Sequence, residues 1–240
     1  EVFDDSTIDA VVIGSPTQFH VDHILKAVNS GKRVMCEKPI ALDVESAKRC
    51  INELGDCADQ VMMGFNRRFD PTFSALKSRL DDGEIGSLQQ LTVISRDPAA
   101  PPASYIAGSG GIFKDMTIHD FDMARYLAGE IVEVQAMGAN LIDPGIQEIG
   151  DIDAAMVVMR AQSGALVHIN NSRRCASSGT AGGSTISVWS VSGRCSARAS
   201  FHSAVIHVSI SSAVVRMTGM ALGWIGFTTA FGSQVRKAKS

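Results

Sequence analysis

Residues 154–240 contain no aspartate and no glutamate, although the 240-residue chain holds 25 of them. The first 153 residues set those 25 acids against 13 Lys and Arg, a net charge of −12; the remainder carries +9. The two parts cancel to −3, which excludes the basic surface of a dedicated nucleic-acid binder. Cysteine is sparse: Cys36, Cys50, Cys57, Cys175 and Cys195 are odd in number and form no C-x-x-C pair. That excludes a zinc ribbon or a paired disulfide framework. With no leader at the start, it reads as reduced thiols in a cytoplasmic protein. No G-x-G-x-x-G follows a strand pattern and there is no P-loop. The uncharged stretch Met217 to Phe231, with its Thr and Gly, is too short for a membrane span. At 45% hydrophobic and 20% charged residues, the chain has the composition of a globular protein.

What is present is an ordered alternation. Ile8 to Gly14 is an apolar run suited to a strand buried on both faces. Ser15-Pro16-Thr17 makes a turn, and Phe19 to Ser30 places Val21, Ile24, Leu25 and Val28 at helical spacing before Gly31. Arg33 to Cys36 is a second strand, Asp43 caps a helix to Leu54, and Val61 to Gly64 is a third strand. This β-α-β-α-β order predicts a parallel sheet with ligands outside the carboxyl ends of its strands. Further on, a helix is expected over 73–80 and a strand over 88–95. A Pro/Gly/Ala-rich loop over 97–111, a helix over 116–128 and strands over 132–139, 154–160 and 165–170 follow. A parallel region followed by a strand-rich one predicts two domains meeting near residues 64–70. Beyond Cys175 the sequence is rich in serine and glycine, with no clean helix and only patchy alternation.

Several groups could carry chemistry. Lys38 lies just past the second strand, either as a functional amine or as a turn lysine on the surface. Asp115, His119 and Asp122 are spaced so that one helix places all three on a face. A carboxylate one turn from an imidazole can fix its tautomer and raise its basicity, which suits a general base. Metal ligation and a helix cap beside a half-buried histidine are the rival readings, and no further His or Cys completes a metal set. His20 could face a ligand at a helix start, and His23 reads as surface. Arg67, Arg68 and Asp70 form either a substrate-facing charge pair or an interdomain bridge.

The runs VVIGSPTQFH, CEKP, GFNRRFDP and GGIFKDMTIHDFDMARYLAG, in this order, resemble the Gfo/Idh/MocA oxidoreductase family. The resemblance covers roughly residues 1–174 and is most like the branch that acts on inositols. It implies an α/β fold: a partial Rossmann (parallel βαβ) domain over 1–66, then an α/β domain with an open, mainly antiparallel sheet over 67–174. It implies NAD as cofactor, with NADP not excluded. The substrate would be a small polyol or sugar, with no nucleic acid and no membrane as partner, and the intact protein would be a homo-oligomer. Lys38, Asp115 and His119 would be catalytic. Ser15, Pro16, Thr17, His20, Glu37 and Lys38 would face the cofactor, and Arg67, Asp97, Asp122 and His119 the substrate. The competing readings are a dehydrogenase of another sugar or cyclitol, and a non-catalytic sugar binder.

Two departures from that family carry expectations of their own. Its first strand, glycine-rich turn and ribose-binding acid would precede Val11, so Glu1 is expected to open a fragment. After NNSRR the family continues with YGYDQR and later VFGS, whereas here the chain reads CASSGTAGG. One codon choice for Arg194 to Arg198, shifted by one base, reads Val-Phe-Gly-Ser. Residues 175–240 are therefore expected to be an aberrant tail from a slipped frame, leaving the open sheet with an unpaired edge and the chain, taken alone, inactive.

Overall fold

The computed structural model describes residues 2–174, 183–192, 202–211 and 215–220. Strands β1 (Ala10–Ile13), β2 (Arg33–Cys36) and β3 (Val61–Met63) pair in parallel in that order. Helices α1 (His20–Asn29) and α2 (Val44–Leu54) are the crossovers. Val21, Ile24, Ala27 and Val28 of α1 bury one stripe against Ile13, Val34 and Cys36 of the sheet and Cys50 and Leu54 of α2. Asp43 caps α2 by accepting from the Ser46 amide at 2.7 Å. The expectation that the first strand is buried on both faces is corrected: Ile13 is buried but Val12 is 74% exposed. Among the described residues both helices contribute to the core on the Ile13 face, and side chains alternate along a strand, so Val12 and Met62 face outward.

The second region opens with α3 (Pro71–Asp81), capped by Asp70, and β4 (Gln90–Arg96). Then come α4 (Ala103–Ser109), α5 (Ile112–Asp115), α6 (Thr117–Ala128), β5 (Ile131–Ala139) and α7 (Pro144–Glu148). The strands β6 (Ala154–Ala161), β7 (Leu166–Ser172), β8 (Gly183–Ser192), β9 (His202–Ser211) and β10 (Val215–Met220) complete it. The sheet runs β10-β9-β8-β4-β7-β6-β5, and β4 with β7 is its one parallel pairing among the described strands. Helices α3 and α6 cover one face, where Phe73, Leu76, Met123 and Leu127 meet Leu91, Val93, Val157, Val167 and Ile169.

Three expectations change here. The loop over 97–111 contains α4, which Pro102 precedes and Gly110, at φ 84°, terminates. The single helix joining Asp115 to His119 is two, broken at Met116. The sheet does not stop at β4: β8 pairs antiparallel with β4 from Gln90 opposite Trp189 to Arg96 opposite Gly183, and among the described strands the sheet's edges are β10 and β5. The rest of the expected aberrant tail, apart from β8, β9 and β10, lies outside the described residues, as does most of Met217 to Phe231. No helix among the described residues is long and apolar enough to cross a membrane.

Candidate active site

The site forms where the carboxyl ends of β2, β4 and β7 converge. Period-2 alternation turns Leu91, Val93 and Ser95 of β4 inward, and Val167, Ile169 and Asn171 of β7 with them. Ser95 lies opposite Asn171 in the parallel register. Continuing in phase, Asp97 and Arg173 are the next inward positions, and the Asp97 amide donates to the Ser172 carbonyl at 3.1 Å. The polar ends of two core strands thus become the floor of a site.

Lys38 crosses from the first region to the second. Its Nζ donates to the Asp115 carbonyl oxygen at 2.7 Å and lies 3.2 Å from Asp115 Oδ1. The half-exposed Tyr105 hydroxyl of α4 donates to the same Oδ1 at 2.9 Å, and Arg173 Nη1 donates to Oδ2 at 3.1 Å. Burial works to raise the Asp115 pKa, but the Tyr105 hydrogen bond, the Lys38 charge and Arg173 outweigh it and hold the carboxyl below its ordinary value. Asp115 is therefore a carboxylate that fixes an ammonium.

His119 stands beside this pair, its ring edge-on to Phe65 at 6.5 Å between centroids. Its Nδ1 is buried without a hydrogen-bond partner. Burial first, then the Arg67 and Lys38 charges, push its pKa down to about 4 against a weaker opposing pull from Asp115. Asp115 does pull the His119 pKa upward, as expected, but through its charge and not through a tautomer-fixing bond, and burial outweighs it. With the helix broken at Met116, the carboxylate turns to Lys38, Tyr105 and Arg173 instead. At neutral pH the ring is uncharged and able to accept a proton.

Other expected residues take different places. Asp122 is buried and receives Arg68 in a fork, Nε at 2.9 Å to Oδ2 and Nη2 at 2.7 Å to Oδ1. Arg67 donates to the fully buried Asp120, which also accepts from Ser95 at 2.7 Å and Asn171 at 2.6 Å. Both arginines thus bridge the start of the second region to α6. Asp97 is half-buried, with a pKa raised by burial against the opposing pull of Arg173. Asp120, Asn171 and Arg173 were missed from the sequence, although the in-phase alternation through β7 marks the last two.

On the other side, Ser15 and Thr17 are half-buried and Pro16 and Glu37 exposed at the ends of β1 and β2. His20 is 1% exposed, with Nδ1 2.8 Å from the Pro39 carbonyl and Nε2 2.7 Å from the Ser15 carbonyl. It ties the two turns together and has no free edge for a ligand. His23, read as surface, meets the Ser15 hydroxyl at 3.2 Å and stacks on Phe19. A Cβ on Gly64 would stand 3.1 Å from Glu37 Oε2, so glycine there lets the ends of β2 and β3 close up. The described residues hold no His, Cys, Asp and Glu cluster fit for a metal.

The fold is a parallel three-stranded βαβ unit whose lysine reaches a carboxylate beside a neutral histidine on an open mixed sheet. Residues 1–65 match the oxidoreductase family with an NAD-binding Rossmann fold, and residues 73–194 match the GFO/IDH/MocA C-terminal domain. The chain belongs to the Gfo/Idh/MocA family. It is 52% identical over 168 residues to an inositol 2-dehydrogenase of Rhizobium meliloti, covering 70% of this chain and 51% of that protein. It is 48% identical over 175 residues to a myo-inositol 2-dehydrogenase of Thermotoga maritima, covering 72% and 52%. A crystal structure of a myo-inositol dehydrogenase from Corynebacterium glutamicum superposes with a TM-score of 0.74 at 51% identity, covering 78% of this chain and 55% of that one. The chain spans about half the length of the relatives it matches.

Proposed function

We propose that this chain carries the catalytic core of an NAD-dependent polyol dehydrogenase that oxidises myo-inositol to 2-keto-myo-inositol. One observation carries the reading: Lys38 bonds Asp115 across the two regions beside a neutral, half-buried His119. Oxidising a secondary alcohol needs a proton acceptor at the hydroxyl and a positive group at the developing oxyanion. His119 takes the O–H proton, Lys38 stabilises the oxygen as the carbonyl forms, and Asp115 fixes Lys38. Bound NAD supplies the acceptor for the C–H hydride. Ser15 to Thr17, Glu37 and Lys38 would hold its nicotinamide side, at the edge where parallel sheets place ligands, and NADP would fit these turns equally. Asp97 would accept substrate hydroxyls, whereas Asp122 and Arg67, engaged by Arg68 and Asp120, would shape the site from behind.

The division into residues 1–66, 67–174 and a tail from 175 belongs to the same reading, as does the absence of turnover from the 240 residues alone. Reading the encoding DNA upstream of the Glu1 codon and through codons 172–200 tests both the fragment and the slipped frame. The free Cys36, Cys50 and Cys57 agree with a cytoplasmic setting. Met137, Met156 and Val158 expose an apolar outer face on β5 and β6, which supports a homo-oligomer. Light scattering of the Met137→Lys variant against the parent would show a smaller species if that face is the interface.

The reaction itself is tested by following NADH formation with myo-inositol in the full-length protein whose reading frame has been confirmed. Turnover with another cyclitol or sugar in place of myo-inositol would move the substrate to that compound. Polyol binding with no NADH formed from any of them, in a protein whose reading frame has been confirmed, would favour the non-catalytic reading.

A further inference from the structure

We propose that Arg173, braced by Asp151, is the positioning residue that holds the Lys38–Asp115 pair in register. The proposal deepens the reaction reading above and rests on it for its kinetic consequence.

Helix α5 is only four residues long and ends on Asp115. A single turn is unstable by itself, because nucleation fixes several dihedrals for one hydrogen bond. Something else must fix Asp115, and both ends of α5 are gripped. At its start, Asp151 Oδ1 accepts the Ile112 amide at 3.1 Å and lies so close to Gly111 that a Cβ there would stand 2.9 Å away. At its end, Arg173 Nη1 reaches Asp115 Oδ2 at 3.1 Å, while Nη2 reaches Asp151 Oδ2 at 3.2 Å. One guanidinium therefore joins the two grips.

Arg173 is wholly buried, and its main chain is anchored through its amide to the Asp153 carbonyl at 2.8 Å. Asp153 is itself fixed by the Leu141, Ile142 and Asp143 amides at 2.8 to 2.9 Å. A buried arginine between two carboxylates is charge-compensated, and its planar fork serves both where an ammonium could serve one. Asp115 is faced by Lys38 from the turn after β2, Tyr105 from α4 and Arg173 from β7's end, with Asp97 and His119 as further charged or titratable neighbours.

The test is a carboxyl-carbon NMR titration of the chain, with the Asp115 signal identified by its loss in Asp115→Asn. Removing the guanidinium in Arg173→Gln is expected to raise the Asp115 midpoint by about one pH unit. Arg173→Lys keeps the buried charge and is expected to raise it by less, which leaves a measurable variant if the Gln form does not fold. A midpoint unmoved in the variants that fold overturns the proposal. Where turnover is measurable, Arg173→Lys should lower kcat on the order of tenfold and move its acid limb to higher pH, since misplacement of a reacting group slows the step. A lower kcat with the limb unmoved marks a purely structural arginine. A full-length, frame-confirmed protein that shows the shift but oxidises no polyol retires the reaction reading and leaves the strut; one that oxidises polyol without the shift retires the strut.

Discussion

The two regions that meet at Lys38 hold their functional groups by opposite means. In the parallel sheet, the turns after β1 and β2 are fixed by main-chain bonds and by His20, whose ring sits between the Ser15 and Pro39 carbonyls. In the open sheet, the corresponding positions are fixed by charge: Asp120, Asp122, Asp153 and Arg173 are all buried, and each has ionic or multiple amide partners. The difference suits the proposed task. A cofactor's flat ring is held by surface shape, whereas moving a proton and stabilising an oxyanion need fixed charges in a desolvated place.

The largest effect should come from the group proposed to accept the proton. In the full-length protein with its reading frame confirmed, replacing His119 with Ala should lower turnover with NAD and myo-inositol by about 10²–10⁴-fold. The fold should survive, because Nδ1 of that ring makes no hydrogen bond. A variant that keeps a tenth of the parent rate would remove His119 from the mechanism. Next comes Asp120→Ala, which strips the partner from Arg67 and leaves Ser95 and Asn171 without their acceptor. Losing one member of a buried pair costs about 3–5 kcal/mol, readable by urea denaturation. A loss under about 1 kcal/mol would mean that charge does not hold this half together.

The pH dependence sharpens the same contrast. His119 titrates near about 4 in the folded protein, below its ordinary value, so the unfolded chain binds the proton more readily. Its neutral form stabilises the fold above the ordinary histidine range, and that contribution is lost as pH falls from there toward about 4. Denaturation midpoints taken across this window should fall with acid in the parent and fall less in His119→Asn. Equal slopes in both would show that the ring is more solvated than its burial implies.

Much of this was legible in the residues, and the misses have physical causes. The βαβ order and the Asp43 cap follow from local periodicity, and the proposed trio of Lys38, Asp115 and His119 from the resemblance to the family. The break at Met116 does not: Asp115 and His119 sit at helical spacing, and only tertiary bonds from Asp151 and Arg173 show why the first turn stops. Arg67 and Arg68 take neither expected role: they form bridges within the second region, to Asp120 and Asp122 on α6, some 50 residues away in the chain, and Asp70 caps α3. Asn171 and Arg173 were visible in principle, since Val167 and Ile169 set the inward phase that they continue. The patchy alternation after residue 182 nevertheless forms β8, β9 and β10, because strand pairing draws on main-chain bonds that any side chain permits.

The smallest expected effect tests the shape-held half. His20 makes no ion pair among the described residues, so replacing it removes ring contacts to two carbonyls, of which a neutral imidazole can donate to one, and no charge pair. His20→Ala leaves the Ser15 and Pro39 carbonyls without these partners, a cost of about 1–3 kcal/mol, smaller than that of Asp120→Ala. The functional signature should also differ. Untying the turns after β1 and β2 loosens the surface proposed to seat the nicotinamide, so KM for NAD should rise several-fold. Lys38 should stay on Asp115, because Tyr105 and Arg173 still hold that carboxylate, and kcat should change little. His20→Gln, which can still donate to one carbonyl, should recover part of both losses. An equal loss of kcat and stability in His20→Ala and Asp120→Ala would erase the distinction: the two regions would then be one cooperative unit in which shape and charge are not separable.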